Sequence, residues 1–242
     1  MGITISMEIT ANLTNSQISF LAFEPDFISP SFIVFNYTQN FILVKIFLKD
    51  RLIYMYIIVG LGNPGEEYEV TRHNTGRMIV MDFAKKQEFP EWVFDKKSNA
   101  LKSEGKVGKE KVMLLLPETM MNNSGNAVVK VITSKKKIEQ LVVVHDDLDL
   151  ALGRFKISFA KSSAGHKGVE SVIKKIKTEK FIRIRVGTCP KKKPAGKDLI
   201  KFLMGKFTPK ELPVFKKTSK TITSVLEMIV SRGLEKAMSQ YN

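Results

Sequence analysis

Tyr56-Ile57-Ile58-Val59-Gly60-Leu61-Gly62-Asn63-Pro64-Gly65 is the stretch from which the fold can be read. Its apolar, β-branched start reads as a short buried strand that ends at Gly60, and the glycines then open a tight loop. Formally Gly60-Leu61-Gly62-Asn63-Pro64-Gly65 matches G-x-G-x-x-G, the dinucleotide fingerprint. Two features weaken that match. Pro64 lacks the N–H that a pyrophosphate would use at a helix opening. The acidic residue near the expected offset, Asp82, falls inside the following helical pattern instead of ending a second strand. The loop reads better as a turn presenting the Asn63 amide, which can both donate and accept hydrogen bonds.

The segments that follow repeat the alternation. Met78, Ile79, Met81, Phe83 and Ala84 form a helical apolar stripe, and Val112–Leu116 is a second strand closed by Pro117. Thr119–Ile132 reads as a helix, Leu141–Val144 as a third buried strand and Lys135–Lys137 as a loop. Phe155, Ile157 and Phe159 alternate with Lys156 and Ser158, the period of a half-exposed strand. Val169, Val172, Ile173 and Ile176 have helical spacing, and Ile182–Val186 alternates as a strand with Arg183 and Arg185 on one face. Thr208-Pro209-Lys210-Glu211 has the spacing of a capping box with proline at the first position, and opens the last helix. The expectation is an α/β single domain: a mixed, mostly parallel sheet flanked by helices on both faces.

Composition narrows the function classes. The 242 residues are 43% hydrophobic and 26% charged, which suits a packed core and not a disordered chain. One cysteine, Cys189, rules out an internal disulfide framework and a sulfur-ligated zinc site. The net charge of +15 points to a polyanionic partner. Residues 1–54 hold three basic against four acidic side chains and seven of the sixteen phenylalanines, so 55–242 carries 36 basic against 20 acidic groups. No basic residue precedes the apolar run of that prefix, so it is not a signal peptide. Phe32–Leu48 is broken by Asn36, Thr38, Gln39, Asn40 and Lys45, short of the roughly 18–20 apolar residues of a membrane span.

Chemistry-bearing residues concentrate in loops after the strands, where α/β proteins place their sites. They lie in Tyr68–Gly76, Thr119–Gly125, His145–Leu150 and Ala164–Gly168. Histidines, carboxylates and side-chain amides together suit activation of water by a base, with amide donors for a developing oxyanion. No Gly-x-Ser-x-Gly elbow and no Cys–His pair indicates a covalent nucleophile. Asp146, Asp147 and Asp149 could hold Mg²⁺, but Asp147 and Asp149 read better as groups bracing the loop, and no metal is expected. His145 and His166 read as further loop-bracing groups.

The strings Val59–Asn74, Pro117–Val128, His145–Gly153, Gly165–Gly168 and Phe181–Gly187 resemble the bacterial peptidyl-tRNA hydrolase family, in its order and at its spacings. The resemblance covers essentially all of residues 55–242. It implies a cofactor-free enzyme that cleaves the ester between a peptide and the terminal ribose of tRNA, recycling stalled peptidyl-tRNA. By the same resemblance, His73 matches the general base and Asp146 the carboxylate that orients it. Asn63 matches the amide that reads the peptide linkage, and Asn122 the amide that positions water or the substrate carbonyl. Tyr68 and Met120 match walls of the cleft. Arg185, with Lys156 or Lys161, falls where the family clamps tRNA phosphate. The expected partner is therefore the acceptor end and peptide backbone of peptidyl-tRNA, met by a monomer in the cytoplasm and not at a membrane.

Three positions depart from the family pattern. Lys167 replaces the Asn that usually follows the histidine and helps hold the tRNA 3′ end; a lysine cannot accept a hydrogen bond. Lys161-Ser162-Ser163-Ala164 replaces a glycine-rich approach with a stiffer lid, and Met120 stands where an aromatic is common. Lys167 keeps open a non-catalytic RNA-binding relative of the same fold, of the splicing-factor type; the glycine pattern alone favours a nucleotide-binding oxidoreductase. The body of 188 residues from Met55 has the usual size for the family, so 1–54 is expected to be an appendage, poorly ordered or translated from an upstream start, and Met55 a candidate initiator.

Overall fold

The computed structural model describes residues 32–37, 40–45, 55–190, 193–194 and 196–242. The chain divides into two units. The first contains an antiparallel hairpin of β1 (Phe32–Tyr37) and β2 (Asn40–Lys45). The rest of residues 1–54, the segment expected to be an appendage, lies outside the described residues.

The second unit is built on seven strands: β3 (Met55–Gly60), β4 (Val93–Asp95), β5 (Ala100–Val107), β6 (Glu110–Pro117), β7 (Leu141–Ala151), β8 (Phe155–Phe159) and β9 (Ile182–Cys189). They lie in the order β4-β5-β6-β3-β7-β9-β8. The β6, β3, β7 and β9 neighbours pair in parallel, and only β5 and β8 run against the common direction. The sheet is thus mixed and mostly parallel.

Both faces are covered. Ile58, Leu114, Leu116, Val142, Val144 and Ile184 pack under α1 (Thr75–Lys86), α6 (Leu212–Arg232) and α7 (Leu234–Tyr241). Ile57, Val59, Leu115, Leu141 and Val143 face α2 (Ser124–Val131) and α4 (Lys167–Ile176). Two-sided burial is why these strands read as unbroken apolar runs. Two further helices, α3 (Lys135–Glu139) and α5 (Lys197–Met204), complete the unit's described helices.

Several expected boundaries move. The helix expected over Thr119–Ile132 is a 3-10 turn at Met121–Asn123 followed by α2, because the Met121 N–H bonds Asn63 Oδ1 at 2.7 Å instead of entering a helix. β7 runs past Val144 to Ala151, since parallel β9 supplies partners as far as Asp147 and again at Ala151. His145, Asp146 and Asp147 are therefore strand residues, not loop residues. Lys135–Lys137 is helical, with Ser134 as its cap. The capping box of Thr208 and Glu211 forms reciprocally, with Thr208 N to Glu211 Oε2 at 2.7 Å and Glu211 N to Thr208 Oγ1 at 3.3 Å. The helix it opens begins at Leu212, carries Pro213 in its first turn and is followed by α7, so it is not the last. In β8, Ser158 is buried and Phe159 exposed, because Ser158 lies in register with buried Arg183 of β9.

The N-terminus of α1 presses on the ends of β3 and β7. Arg77 N donates to Leu61 O at 2.9 Å, and Leu61 N donates to Val144 O at 3.0 Å. Gly76 permits this approach: a Cβ there would lie 2.1 Å from the Val144 carbonyl oxygen. Gly76→Ala is expected to lower unfolding stability by about 1–3 kcal/mol, read from urea denaturation, because the clash is with backbone that cannot swing aside. An unchanged urea midpoint would show that α1 can move away.

Candidate active site

Three elements meet at the carboxyl ends of β3, β6 and β7, where the chain steps from one side of β3 to the other. Asn63 follows β3, Met120 follows β6, and Asp146 lies within β7. His73 comes from a 3-10 turn, Arg72–Asn74, directly before α1.

That turn is held on both sides of the histidine. Arg72, itself buried, donates to Glu211 Oε2 at 2.6 Å and to Gly205 O at 3.1 Å, and stacks 4.2 Å over the Phe202 ring. Asn74 exchanges two hydrogen bonds with the backbone of Asn63, each 2.8 Å. His73 has little freedom to drift.

Asp146 is the centre of the site. Its side chain is 2% exposed, and Oδ1 lies 3.0 Å from His73 Nδ1 and 2.9 Å from His166 Nε2. A carboxylate only accepts, so His73 carries its proton on Nδ1 and leaves Nε2 as a free lone pair. His166 caps the N-terminus of α4 by accepting from the Val169 N–H at 3.2 Å through Nδ1. Its proton is therefore on Nε2, aimed at Asp146. Burial works against the Asp146 charge, yet the two histidines outweigh it and hold the carboxyl well below its ordinary range. For His73, burial also disfavours the charged ring, but the Asp146 charge and hydrogen bond prevail and raise its pKa above the ordinary 6.5.

His145 differs from both. Burial pushes its pKa well below 6.5. Its Nδ1 donates to the Asp146 carbonyl at 2.7 Å, while buried Nε2 has no partner. His145 and His166 therefore depart from the expected loop-bracing role: one is a neutral group inside a strand, and the other completes the Asp146 network. His166, Arg72 and Asn74 were not singled out for the site in the sequence. His166 stands within the Gly165–Gly168 string and immediately precedes a helical pattern, which was the available signal.

Asn63 is buried, and Met121 N–H occupies its Oδ1. Its Nδ2, 4.0 Å from Met204 Sδ, is left as a donor. Thus the amide that could have done either task is committed by its neighbours to donating.

A cavity of about 490 Å³ opens above these groups. Its lining includes His73, Asp146, His166 and Lys167 on one side, and Leu199, Ile200, Leu203 and Met204 of α5 on another. Asn63, Tyr68, Met120, Asn122 and Arg185 do not line it, although Asn63 Nδ2 lies 4.0 Å from Met204, which does. Asn122 lines a neighbouring depression, and Met120 is half exposed. Arg185 and Lys156 stand opposite each other on β9 and β8, but Arg185 is already engaged, with Nε 2.6 Å from Asp147 Oδ2. Lys161 is exposed in the loop after β8. In that same lid, Ala164 adopts φ 49°, a left-handed conformation that disfavours any residue with a Cβ by about 1–2 kcal/mol.

The nitrogens of His73 and His166 and an oxygen of Asp146 lie within 4.8 Å of one another, a spacing a metal ion could also use. Both nitrogens that face Asp146 are protonated in the hydrogen-bond scheme above, which suits a proton network and not a ligand set. In that scheme the ¹⁵N spectrum of neutral His73 should show Nδ1 protonated and Nε2 bare, with a titration midpoint above 6.5. The opposite tautomer would show that Asp146 does not orient the ring.

Comparisons with known proteins agree with this architecture. The family model described as Peptidyl-tRNA hydrolase matches residues 57–242. A peptidyl-tRNA hydrolase of Caldanaerobacter subterraneus subsp. tengcongensis is 40% identical over 189 residues, covering 78% of this chain and 100% of the relative. One from Aquifex aeolicus is 40% identical over 188 residues, covering 77% and 95%. The crystal structure of peptidyl-tRNA hydrolase from Acinetobacter baumannii superposes with a TM-score of 0.72 at 30% identity, covering 78% of this chain and 95% of that one. Sequence, fold and the matched span agree that this chain belongs to the peptidyl-tRNA hydrolase family.

Proposed function

We propose that this chain hydrolyses the ester joining a peptide to the terminal ribose of tRNA, returning tRNA from aborted translation, with His73 activating the water. The observation that carries the mechanism is the single Asp146 oxygen bound to both His73 Nδ1 and His166 Nε2 at the cavity floor. It leaves His73 Nε2 as the one ring nitrogen of that pair free to take a proton.

Nε2 takes a proton from water as the oxygen attacks the ester carbonyl, and the forming imidazolium is stabilised by buried Asp146. Asn63 Nδ2 offers a hydrogen bond to the carbonyl oxygen as its charge grows. When the C–O bond to the ribose breaks, the proton passes from Nε2 to the ribose oxygen. Asn122, in the neighbouring depression, positions the water or carbonyl, and Tyr68 and Met120 contact the substrate terminus. Arg185, Lys156 and Lys161 supply phosphate contacts, so binding should weaken steeply with salt. Arg185 is held ready by Asp147, and its remaining guanidinium donors can face a phosphate.

We also propose that the chain meets its tRNA substrate as a monomer in the cytoplasm, where translation supplies that substrate. No helix of the described residues is long and apolar enough to cross a membrane. We further take residues 55–242 as the catalytic domain, since the match to the family begins at residue 57.

A release assay tests the reading. N-acetylated aminoacyl-tRNA should be cleaved and free aminoacyl-tRNA spared, and His73→Ala should lower kcat/KM by about 10²–10⁴-fold. Cleavage by the His73→Ala chain at the unsubstituted rate would overturn the mechanism. Intact tRNA bound without cleavage by either chain would favour the non-catalytic RNA-binding relative to which Lys167 points.

A further inference from the structure

Beside the catalytic cavity lies a second depression of about 370 Å³, lined by Asn122, Asn123 and Asn126 from the start of α2 and by Lys167, Glu170, Ser171, Lys174 and Lys175 from α4. The two depressions share Lys167. We infer that this second depression is a phosphate track for the unpaired 3′ strand of the RNA, leading it over Lys167 into the catalytic cavity; this rests on the peptidyl-tRNA reading above.

The packing explains why a depression exists there. Gly125 brings α2 against α4 so closely that a Cβ on it would lie 2.1 Å from the Ser171 carbonyl oxygen. The Gly125 N–H also bonds Ser171 Oγ at 3.0 Å. The helices touch at that point, and their longer side chains rise around the contact.

The chemistry of the rim selects an anion. Lys167, Lys174 and Lys175 are spaced i, i+7 and i+8, so they share one face of α4, with buried Ser171 between them. Lys167 and Lys174 are about 10 Å apart along the helix axis. Lys167 contacts Glu170 at 3.2 Å, its side chain 70% exposed. Lys174 and Lys175 are exposed and have no ion pair among the described residues. Three ammonium groups against one carboxylate, faced by three side-chain amides, match a run of phosphates with adjacent sugars and bases. A folded protein partner would want apolar anchors at the centre of its contact, and this lining has none. The track lies on the α4 side of the cavity, apart from the Arg185 and Lys156 pair on β9 and β8. Two separate groups of cations would then hold different parts of the same RNA. Lys167 stands where the two depressions meet, which gives the family's missing Asn a different successor: a charge on the backbone of the incoming strand.

The test uses two substrates, an N-acetylaminoacyl ester of adenosine and the same ester on the trinucleotide CCA. Lys174→Glu with Lys175→Glu should lower the ratio of kcat/KM for the trinucleotide ester to that for the adenosine ester by about tenfold, and flatten its salt dependence by about one unit of slope. A neutral pair, Lys174→Gln with Lys175→Gln, should give a smaller change in the same direction. Fluorescent CCA without an ester should bind the charge-reversed chain about tenfold more weakly, provided two phosphate contacts are lost. An unchanged ratio together with unchanged CCA affinity overturns the track while leaving the esterase reading intact. If the unsubstituted chain cleaves neither ester, the esterase reading fails, and the CCA titration still decides the track.

Discussion

A carboxylate buried to 2% exposure is a severe constraint on a fold. Stripped of water, Asp146 needs donors that cannot leave, and the structure satisfies it with ring N–H groups from two separate elements. That demand fixes much else. β7 must continue beyond its apolar run to carry Asp146 in, α4 must begin where its cap can point a ring at β7, and the turn before α1 must deliver His73 from the opposite side. Each element is placed by its own packing, and the carboxylate is where their positions are reconciled.

Rigidity around that point follows from neighbours on either side of His73. Arg72 is tied to Glu211 and Gly205 below, and Asn74 is tied to the Asn63 loop beside it. Asn63 is in turn fixed by the Met121 N–H after β6. Base, carboxylate and amide donor are thus linked through three loops without a long unsupported segment. The apolar residues of α5 cover one side of the cavity, and positive charge lies outside on β8, β9 and α4. In the proposed scheme the rim carries affinity for a polyanion and the floor carries proton transfer.

The strands were legible because they are buried on both faces, which leaves long apolar runs at Ile57–Val59, Val112–Leu116 and Leu141–Val144. Where pairing replaces hydrophobicity as the cause, the sequence is silent: the polar half of β7 is a strand only because β9 lies beside it. The same limit hid the role of His166, which depends on a helix cap and a strand meeting in space. The structure gathers His73, Asp146 and Lys167, to which the family resemblance points, at one cavity. Asn122 and Arg185 lie outside the lining of that cavity. Arg183 shows a different failure. Its alternation with Arg185 puts both arginines on one face of the strand, yet Arg183 is 1% exposed between β7 and β8, with Nε and Nη1 unpaired. Nothing else in the structure explains those two unpaired groups.

The central point is that Asp146 sets the tautomer and basicity of His73. The most direct measurement is the pH dependence of kcat/KM on N-acetylaminoacyl-tRNA for the unsubstituted chain and for Asp146→Asn. In the unsubstituted chain the rate should rise with pH as His73 loses its proton, and level off past a midpoint above the ordinary 6.5. In Asp146→Asn it should fall by about three to four orders of magnitude, as the side-chain amide no longer enforces the Nδ1–H form, and any remaining midpoint should move to lower pH. Equal rates and the same midpoint in both chains would contradict a histidine base governed by its buried carboxylate.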